Sequence, residues 1–493
     1  MKLPGLVLSV VLSLCLCVSV ADPMEVAGKK VLVIGAARSG IASARFLSKR
    51  NAVVALNDRK LLSKWSPEAL ALKSEGVGLI EGDPPSWLLD QIDLIVVSPG
   101  VPTKAIPIRY ADRRGAEVIG EVELASRFLR GRIVAITGTN GKTTTTSLIG
   151  KMLKDAGMNV QVGGNIGTAL ISMIDASRDD SWTVIEVSSF QLETIVDFHP
   201  NVAAVLNVTP NHMDRYDSLM DYAEAKHRIF MNQTSGDVAI LNADDTIVSS
   251  WAKGLRAQVA RFSVKHELDE GLFLRGRDLV WRQRGQRLLP TEHAEGERVL
   301  MSRDEMRLRG THNVENVLAA MAAGLACGAS AESLAQTVRE FQPVEHRLEE
   351  VAEVRGVRFF NDSKATSVDA TMKALEAFAD DRGKIVLILG GLGKQAPYSP
   401  LGPLIRERVR KMILIGEDAP AIEKEIGDAA PFATAENMRE AVEGAFGAAQ
   451  GGDIVLLAPA CASFDMFESF EHRGRVFKEE VQRLKSKVPS PIV

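Results

Sequence analysis

Ile133-Val134-Ala135-Ile136-Thr137-Gly138-Thr139-Asn140-Gly141-Lys142-Thr143-Thr144 is the stretch on which the rest of the chain turns. It opens as an unbroken apolar run, the pattern of a parallel strand buried on both faces. The run breaks at Gly138 into a turn of small residues that leaves backbone N–H groups uncovered. A helix follows, with Leu148, Ile149, Met152 and Leu153 on one face and Gly157 as its stop. Strand, turn and helix start together form a phosphate cradle, because unpaired N–H groups and the positive end of the helix dipole converge on one point. In such a cradle Lys142 reaches the outer phosphates and the Thr143 hydroxyl holds Mg²⁺. A full phosphate loop carries glycine at the position of Ile136, so Gly-x-x-Gly-Lys-Thr is a variant here. The consecutive threonines from Thr143 are poor helix formers and speak against a merely structural turn.

Length and composition bound what surrounds this element. At roughly 150 residues per domain, 493 residues leave room for about three domains. A hydrophobic fraction of 46% lets each bury its own core. A net charge of −4, from 59 basic and 63 acidic residues, offers no polybasic surface for nucleic acid, so small molecules are the expected partners. Of four cysteines, Cys15 and Cys17 fall near the N-terminus, and Cys327 and Cys461 make no disulfide or metal-ligand pattern. A reducing compartment fits.

Residues 1–23 point elsewhere. Lys2, the apolar run Leu6 to Val20, and the small residues Ser19 and Ala21 have the form of a secretory signal. An enzyme that spends ATP has no supply outside the cell, and Met24 stands directly before a clean domain start at Glu25-Val26-Ala27-Gly28-Lys29-Lys30-Val31. The favoured reading is an over-extended start codon and a cytoplasmic protein without membrane insertion; a genuine signal or anchor is the alternative.

From there strand and helix patterns alternate, which makes the chain α/β. Val31-Leu32-Val33-Ile34, then Gly35-Ala36-Ala37-Arg38-Ser39-Gly40 and a strand ending at Asn57-Asp58, is similar to a dinucleotide-binding unit. Ala37 replaces the middle glycine, and on this pattern alone a nucleotide-diphosphate site and an empty βαβ unit weigh equally. Further on, Trp182-Thr183-Val184-Ile185-Glu186-Val187 sets Glu186 near a strand end, followed by Ser188-Ser189-Phe190-Gln191-Leu192-Glu193. Val202 to Leu206 runs out into Asn207-Val208-Thr209-Pro210-Asn211-His212-Met213-Asp214. Two strand ends thus bring a carboxylate and an imidazole to the rim of the phosphate loop, suited to a second cation.

Pattern alone makes Lys226 one charge on a solvated helix face. Leu272 to Leu289, interrupted by Gly276 and Gly285, suggests hairpins, and the His312-Asn313 pair reads as a helix cap rather than a base contact. A last domain begins around Pro343, where Arg347 can swing onto a nucleotide held by the domain before it. Its strand ends carry Asn361-Asp362-Ser363-Lys364-Ala365-Thr366, Gly390-Gly391-Leu392-Gly393-Lys394 and Ala460-Cys461-Ala462-Ser463-Phe464-Asp465. Two lysines, a threonine and a serine in such places suit an anionic substrate, most simply a carboxylate.

These motifs together resemble the Mur ligases, over about Met24 to Lys485. Ser-Ser-Phe-Gln-Leu-Glu combined with Ala-Cys-Ala-Ser-Phe-Asp points within the family to the member adding D-glutamate, rather than those adding L-alanine, a diamino acid or D-alanyl-D-alanine. No Asp-Asn-Pro-Arg stretch, expected of the diamino-acid ligases, is present. The resemblance implies three domains: a Rossmann-like UDP-substrate domain over 24–125, a central P-loop ATPase-like parallel sheet over 126–344, and a Rossmann-like amino-acid domain over 345–493. It implies an ATP-dependent ligase that joins D-glutamate to UDP-N-acetylmuramoyl-L-alanine through an acyl phosphate in peptidoglycan precursor synthesis, acting as a monomer.

Carried onto matching positions, it implies ATP contacts at Gly138, Thr139, Asn140, Gly141, Lys142, Thr143 and Thr144, joined by Asn313, Arg347 and Asp362. Two Mg²⁺ ions would be held by Thr143, Glu186, His212 and Lys226, the last as a carbamate. The UDP-substrate would meet Ala36, Ala37, Asp58, Asn165 and Ser188. D-Glutamate would meet Lys364, Thr366, Lys394, Ser463 and Phe470, and Lys142, His212, Lys226, Arg347 and Lys364 would act in the chemistry. Arg59 stands where a small hydroxyl residue is expected and Leu392 where an Asp is common, which unsettles the uridine contacts and the setting of Lys394. Two rivals are a UDP-sugar-binding regulator without turnover and a dinucleotide oxidoreductase built on the Gly35 region.

Overall fold

The computed structural model describes residues 25–102, 115–213, 215–284, 296–342, 345–379, 381–393 and 396–488. The leader-like segment and Lys394 lie outside them. Three stretches of chain each fold around their own sheet. In the first, β1 (Lys30–Ile34), β2 (Val53–Asp58), β3 (Gly78–Glu81), β4 (Leu94–Val97) and β5 (Glu117–Gly120) lie parallel in the order β3-β2-β1-β4-β5. Val31 and Val33 face one apolar layer and Leu32 and Ile34 the other, which is why β1 reads as a continuous run instead of an alternating one.

The second sheet contains β6 (Arg132–Thr137), β7 (Val160–Gly164), β8 (Trp182–Glu186), β9 (Val202–Val205), β10 (Val238–Asn242), β11 (Gln258–Ser263), β12 (Gly271–Arg275), β13 (Asp278–Gln283) and β14 (Gly296–Ser302). Its order is β14-β13-β12-β11-β10-β9-β6-β8-β7, parallel from β12 to β7. β12 and β13 form the expected hairpin, turning at Gly276 with φ 59°, and β14 extends it antiparallel. Gly285 lies outside the described residues. Because β6 sits between β8 and β9, the ends of these three strands open on one rim, the place where open α/β sheets bind ligands.

In the third sheet the order is β15-β16-β20-β17-β18-β19, built from β15 (Glu349–Val354), β16 (Val357–Asn361), β17 (Ile385–Gly390), β18 (Val409–Ile415), β19 (Phe432–Thr434) and β20 (Ile454–Leu457). All neighbours are parallel except the β15–β16 hairpin. β16, β20 and β17 are adjacent, so the three motif-bearing strand ends of this region emerge side by side. Among the described residues no helix is long and apolar enough to cross a membrane.

Candidate active site

The phosphate loop has the backbone that its glycines permit. Gly138 has φ 152° and Gly141 φ 85°, and a Cβ on Gly141 would lie 2.1 Å from Asn316 Oδ1. Asn207, at the end of β9, props the loop from beside it: its Oδ1 accepts from the N–H groups of Thr139 at 3.1 Å and Asn140 at 2.8 Å. The first-turn amides of the helix Lys142–Asp155 have no intrahelical partner, and no side chain caps them. Lys142 folds back over the loop, donating to Gly138 O and Thr139 O at 2.9 Å each. Burial lowers its pKa; Glu186 opposes that shift and Arg347 adds to it.

Beside the loop stands a set of hard oxygen donors. Glu186, the last residue of β8 and 2% exposed, accepts from Thr143 Oγ1 at 2.8 Å and Asn165 Nδ2 at 2.8 Å. Lys226 corrects the reading of a solvated charge: it is 1% exposed, donates to Gly138 O at 2.9 Å and lies 4.4 Å from the Tyr222 ring centre. Period-based reading missed this because the helix Leu219–His227 turns that face onto the phosphate loop rather than to water. Burial holds the Lys226 amine well below its usual value, Lys142 pushes the same way, and Glu186 opposes. His212, in the left-handed region at φ 57°, sets its ring edge-on to Phe190 and to Tyr222, so it joins the same rim through an aromatic layer. The Thr143 hydroxyl and Glu186 carboxylate suit Mg²⁺; an unmodified Lys226 amine does not, and would need conversion to an oxygen ligand.

Across the rim, Asn140, Gly141, Asn313, Arg347 and Asp362 line one cleft between the second and third sheets. Arg347 Nη2 approaches Thr143 Oγ1 at 3.5 Å, and Asn140 Nδ2 donates to Asp369 Oδ2 at 2.7 Å. Arg347 is flanked by His346 at φ 65° and Leu348 at φ 43°, a tightly turned junction that presents its side chain to the loop. Burial pushes Asp362 up to about 7, against the pull of Arg347. Asn313 does not cap its helix: Gly310, with φ 86°, is the N-cap, and Asn313 donates to Arg309 O while its Oδ1 accepts from Asn316. His312, pulled down to about 4 chiefly by burial, and Lys373 line the same cleft. The sequence carried a signal for the first, next to Asn313, and none for Lys373 or Asp369.

The remaining candidates fall into two groups. In the first sheet's turn, Asp58 accepts from Ala36 N at 2.9 Å and so orders the glycine turn itself; a Cβ on Gly40 would lie 1.8 Å from Gly35 O, which accounts for the last glycine of that motif. Ala37 precedes the helix Arg38–Ser48 with no side-chain cap. Asn165 is pinned to Glu186, and Ser188 caps the short helix Ser189–Leu192. In the third region Lys364 Nζ sits 3.7 Å over the Phe470 ring, and Thr366 N bonds Lys364 O. Burial, then Arg347, lowers Lys364 to about 8. Ser463 is buried on the adjacent loop. Lys394 is not among the described residues.

Three family models match the chain: the Mur ligase MurD-like N-terminal domain over residues 29–120, the Mur ligase middle domain over 136–324, and the Mur ligase glutamate ligase domain over 346–461. A UDP-N-acetylmuramoylalanine–D-glutamate ligase of Koribacter versatilis is 47% identical over 461 residues, covering 94% of this chain and 99% of that protein. One of the same name from Pelotomaculum thermopropionicum is 48% identical, covering 93% and 98%. In fold the chain is similar to a pseudomurein peptide ligase type C from Methanothermus fervidus, with TM-score 0.57, 17% identity, and coverage of 93% and 100%. The UDP-N-acetylmuramate-alanine ligase MurC of Thermotoga maritima gives TM-score 0.57 at 19% identity, with coverage of 93% and 100%.

Proposed function

The chain belongs to the Mur ligase family, and we propose that it is the ATP-dependent ligase that forms the amide between UDP-N-acetylmuramoyl-L-alanine and D-glutamate. The observation that carries the reading is the meeting at one loop of Lys142, Glu186 and Arg347, each from a different strand end or domain junction. A carboxylate is a poor acylating agent, so activation comes first. The alanine carboxylate oxygen attacks the γ-phosphorus of ATP, the bond to the β,γ-bridging oxygen breaks, and ADP leaves as an acyl phosphate forms. Lys142, Arg347 and the first-turn amides of the loop helix are set to stabilise charge on the transferring group. Mg²⁺, when bound by Thr143, Glu186 and His212, supplies charge neutralisation on the phosphates and transferring oxygens. Lys226 fits a carbamate at this place: its buried amine is held toward the neutral form that reacts with carbon dioxide, and the product is an oxygen ligand.

In the second half the neutral amine of D-glutamate attacks the activated carbonyl and phosphate leaves. Its proton passes to His212 or to the departing phosphate. Lys364, Thr366, Lys394, Ser463 and Phe470 receive the amino acid, and Ala36, Ala37, Asp58, Asn165 and Ser188 the UDP-sugar. Asn313 and Asp362 hold the nucleotide. The need for intracellular ATP supports a cytoplasmic site of action, and the reading takes the protein to act as a monomer. The test is ADP release by purified protein with UDP-N-acetylmuramoyl-L-alanine, each candidate amino acid being offered in turn. D-Glutamate alone is expected to stimulate it; stimulation by a different amino acid would overturn the substrate assignment.

A further inference from the structure

Among the described residues the largest wholly buried side chain is a charged one, Arg473, with 0% exposure. It sits in the first turn of the helix Phe470–Lys487. Its guanidinium is met by neutral acceptors only. Nε donates to Ser363 Oγ at 3.0 Å, Nη2 to Ser363 O at 2.9 Å and Cys461 O at 3.1 Å, and Nη1 to Ala462 O at 3.1 Å. Among the described residues no carboxylate lies within ion-pair distance of it. The Asp465 carboxylate acts on it only from beyond that distance. A buried cation without a direct ion pair costs desolvation, and apolar packing would have been the more stabilising choice.

What the guanidinium joins is specific. Ser363 precedes Lys364, and Ala462 precedes Ser463, on the loops after β16 and β20. Ser363 Oγ also donates to Phe470 O at 2.8 Å, at the start of the helix that carries Arg473 itself. Leu392 and Ala462 exchange backbone hydrogen bonds of 3.0 and 2.9 Å, drawing the end of β17 into the same clamp. A Cβ on Gly391 would lie 2.3 Å from Ala462 O and 3.1 Å from Nη1, so only glycine lets that strand end approach.

Resting on the reading that this pocket takes D-glutamate, we propose that Arg473 is the positioning residue of the amino-acid pocket. Its guanidinium fixes the spacing of Lys364, Ser463 and Phe470, and its charge, only partly offset by the Asp465 carboxylate, favours a dicarboxylate over a neutral amino acid. Substrate never touches it.

Arg473→Gln, Arg473→Lys and Ser363→Ala are compared with wild type in the complete ADP-release assay, with D-glutamate and D-glutamine as acceptors and thermal melting as the check on folding. In Arg473→Gln the KM for D-glutamate is expected to rise roughly ten- to a hundredfold, and the preference over D-glutamine to shrink by a similar factor. The KM values for ATP and UDP-N-acetylmuramoyl-L-alanine should stay within about twofold. Arg473→Lys should keep much of the preference while losing affinity, and Ser363→Ala should raise the KM for D-glutamate several-fold without moving the melting point. An unmoved D-glutamate KM in folded variants, or all three KM values rising together, overturns the proposal. Should Arg473→Gln not accumulate folded, the other two variants decide by the same criteria. Wild-type enzyme that prefers another amino acid defeats the functional reading itself, whatever the variants do.

Discussion

Lys226 and Asp362 show how burial turns ordinary side chains into chemical ones. Lys226, 1% exposed and beside a second lysine, has no carboxylate within salt-bridge reach among the described residues and bonds only Gly138 O. If its role is to become an oxygen ligand, Lys226→Ala should lower turnover by at least roughly a hundredfold, and added short carboxylates should restore part of it. Full activity of the variant would remove Lys226 from the metal site. Asp362 works through pH. Its folded value of about 7 stands above the ordinary 3.8, so the folded state holds the proton more tightly than the unfolded one. The stability linked to this proton is complete below 3.8 and is lost as pH rises through about 7. Asp362→Asn should therefore be more stable than wild type at pH 8 by on the order of 1–3 kcal/mol and no different near pH 4, while its KM for ATP rises. A melting series across pH reads the first effect and steady-state kinetics the second.

Among elements, the strand–loop–helix unit at Gly138 decides most. Gly141→Ala would force a Cβ to 2.1 Å from Asn316 Oδ1 and strain a φ of 85°. The loop should deform, with ATP affinity falling at least about tenfold and melting temperature dropping by several degrees, readable by nucleotide titration and thermal scan. This unit was legible in the sequence because all its determinants are local: an apolar run, glycines at the turn, and a lysine and threonine at the helix start. Glu186 was legible for a related reason, since it stands where a buried strand must end, whereas nothing in the sequence marked Asn207 as the residue that props the loop. The helix Leu219–His227 was not legible either. Its composition is that of an exposed helix, and only packing against the phosphate loop, more than eighty residues earlier in the chain, buries Lys226. Gly310 was likewise passed over as a cap in favour of His312-Asn313, because a left-handed N-cap leaves no hydroxyl or carboxylate signal. Arg473 gave no sign at all, since a lone arginine in a charged helix reads as solvated until the three loops around it are seen.

At the scale of the whole molecule the two domain junctions differ in kind. The first and second sheets share one apolar cluster, in which Val122 and Leu124 lie with Leu170, Ile174 and Phe198, and the buried Glu123 carboxylate accepts from the N–H groups of Val196, Asp197 and Phe198. The third domain keeps its own apolar clusters and meets the second through polar contacts: Asn140 with Asp369, Arg347 with Thr143, and Arg309 with an Asp381 also held by Arg358. Polar junctions open more readily than apolar ones, so motion is expected at the third domain, and in the proposed reaction its closure would shield the acyl phosphate from water. Asp369 reaches the phosphate loop itself, at 2.7 Å from Asn140 Nδ2. Asp369→Ala should loosen closure and let water compete with D-glutamate, giving more ADP than amide product, where wild type is expected to give equal amounts. Asp369→Asn keeps an acceptor for Asn140 and should stay nearer to equal yields. Coupled measurement of ADP and amide in one reaction distinguishes the cases, and equal yields from the alanine variant would show that this contact does not govern closure.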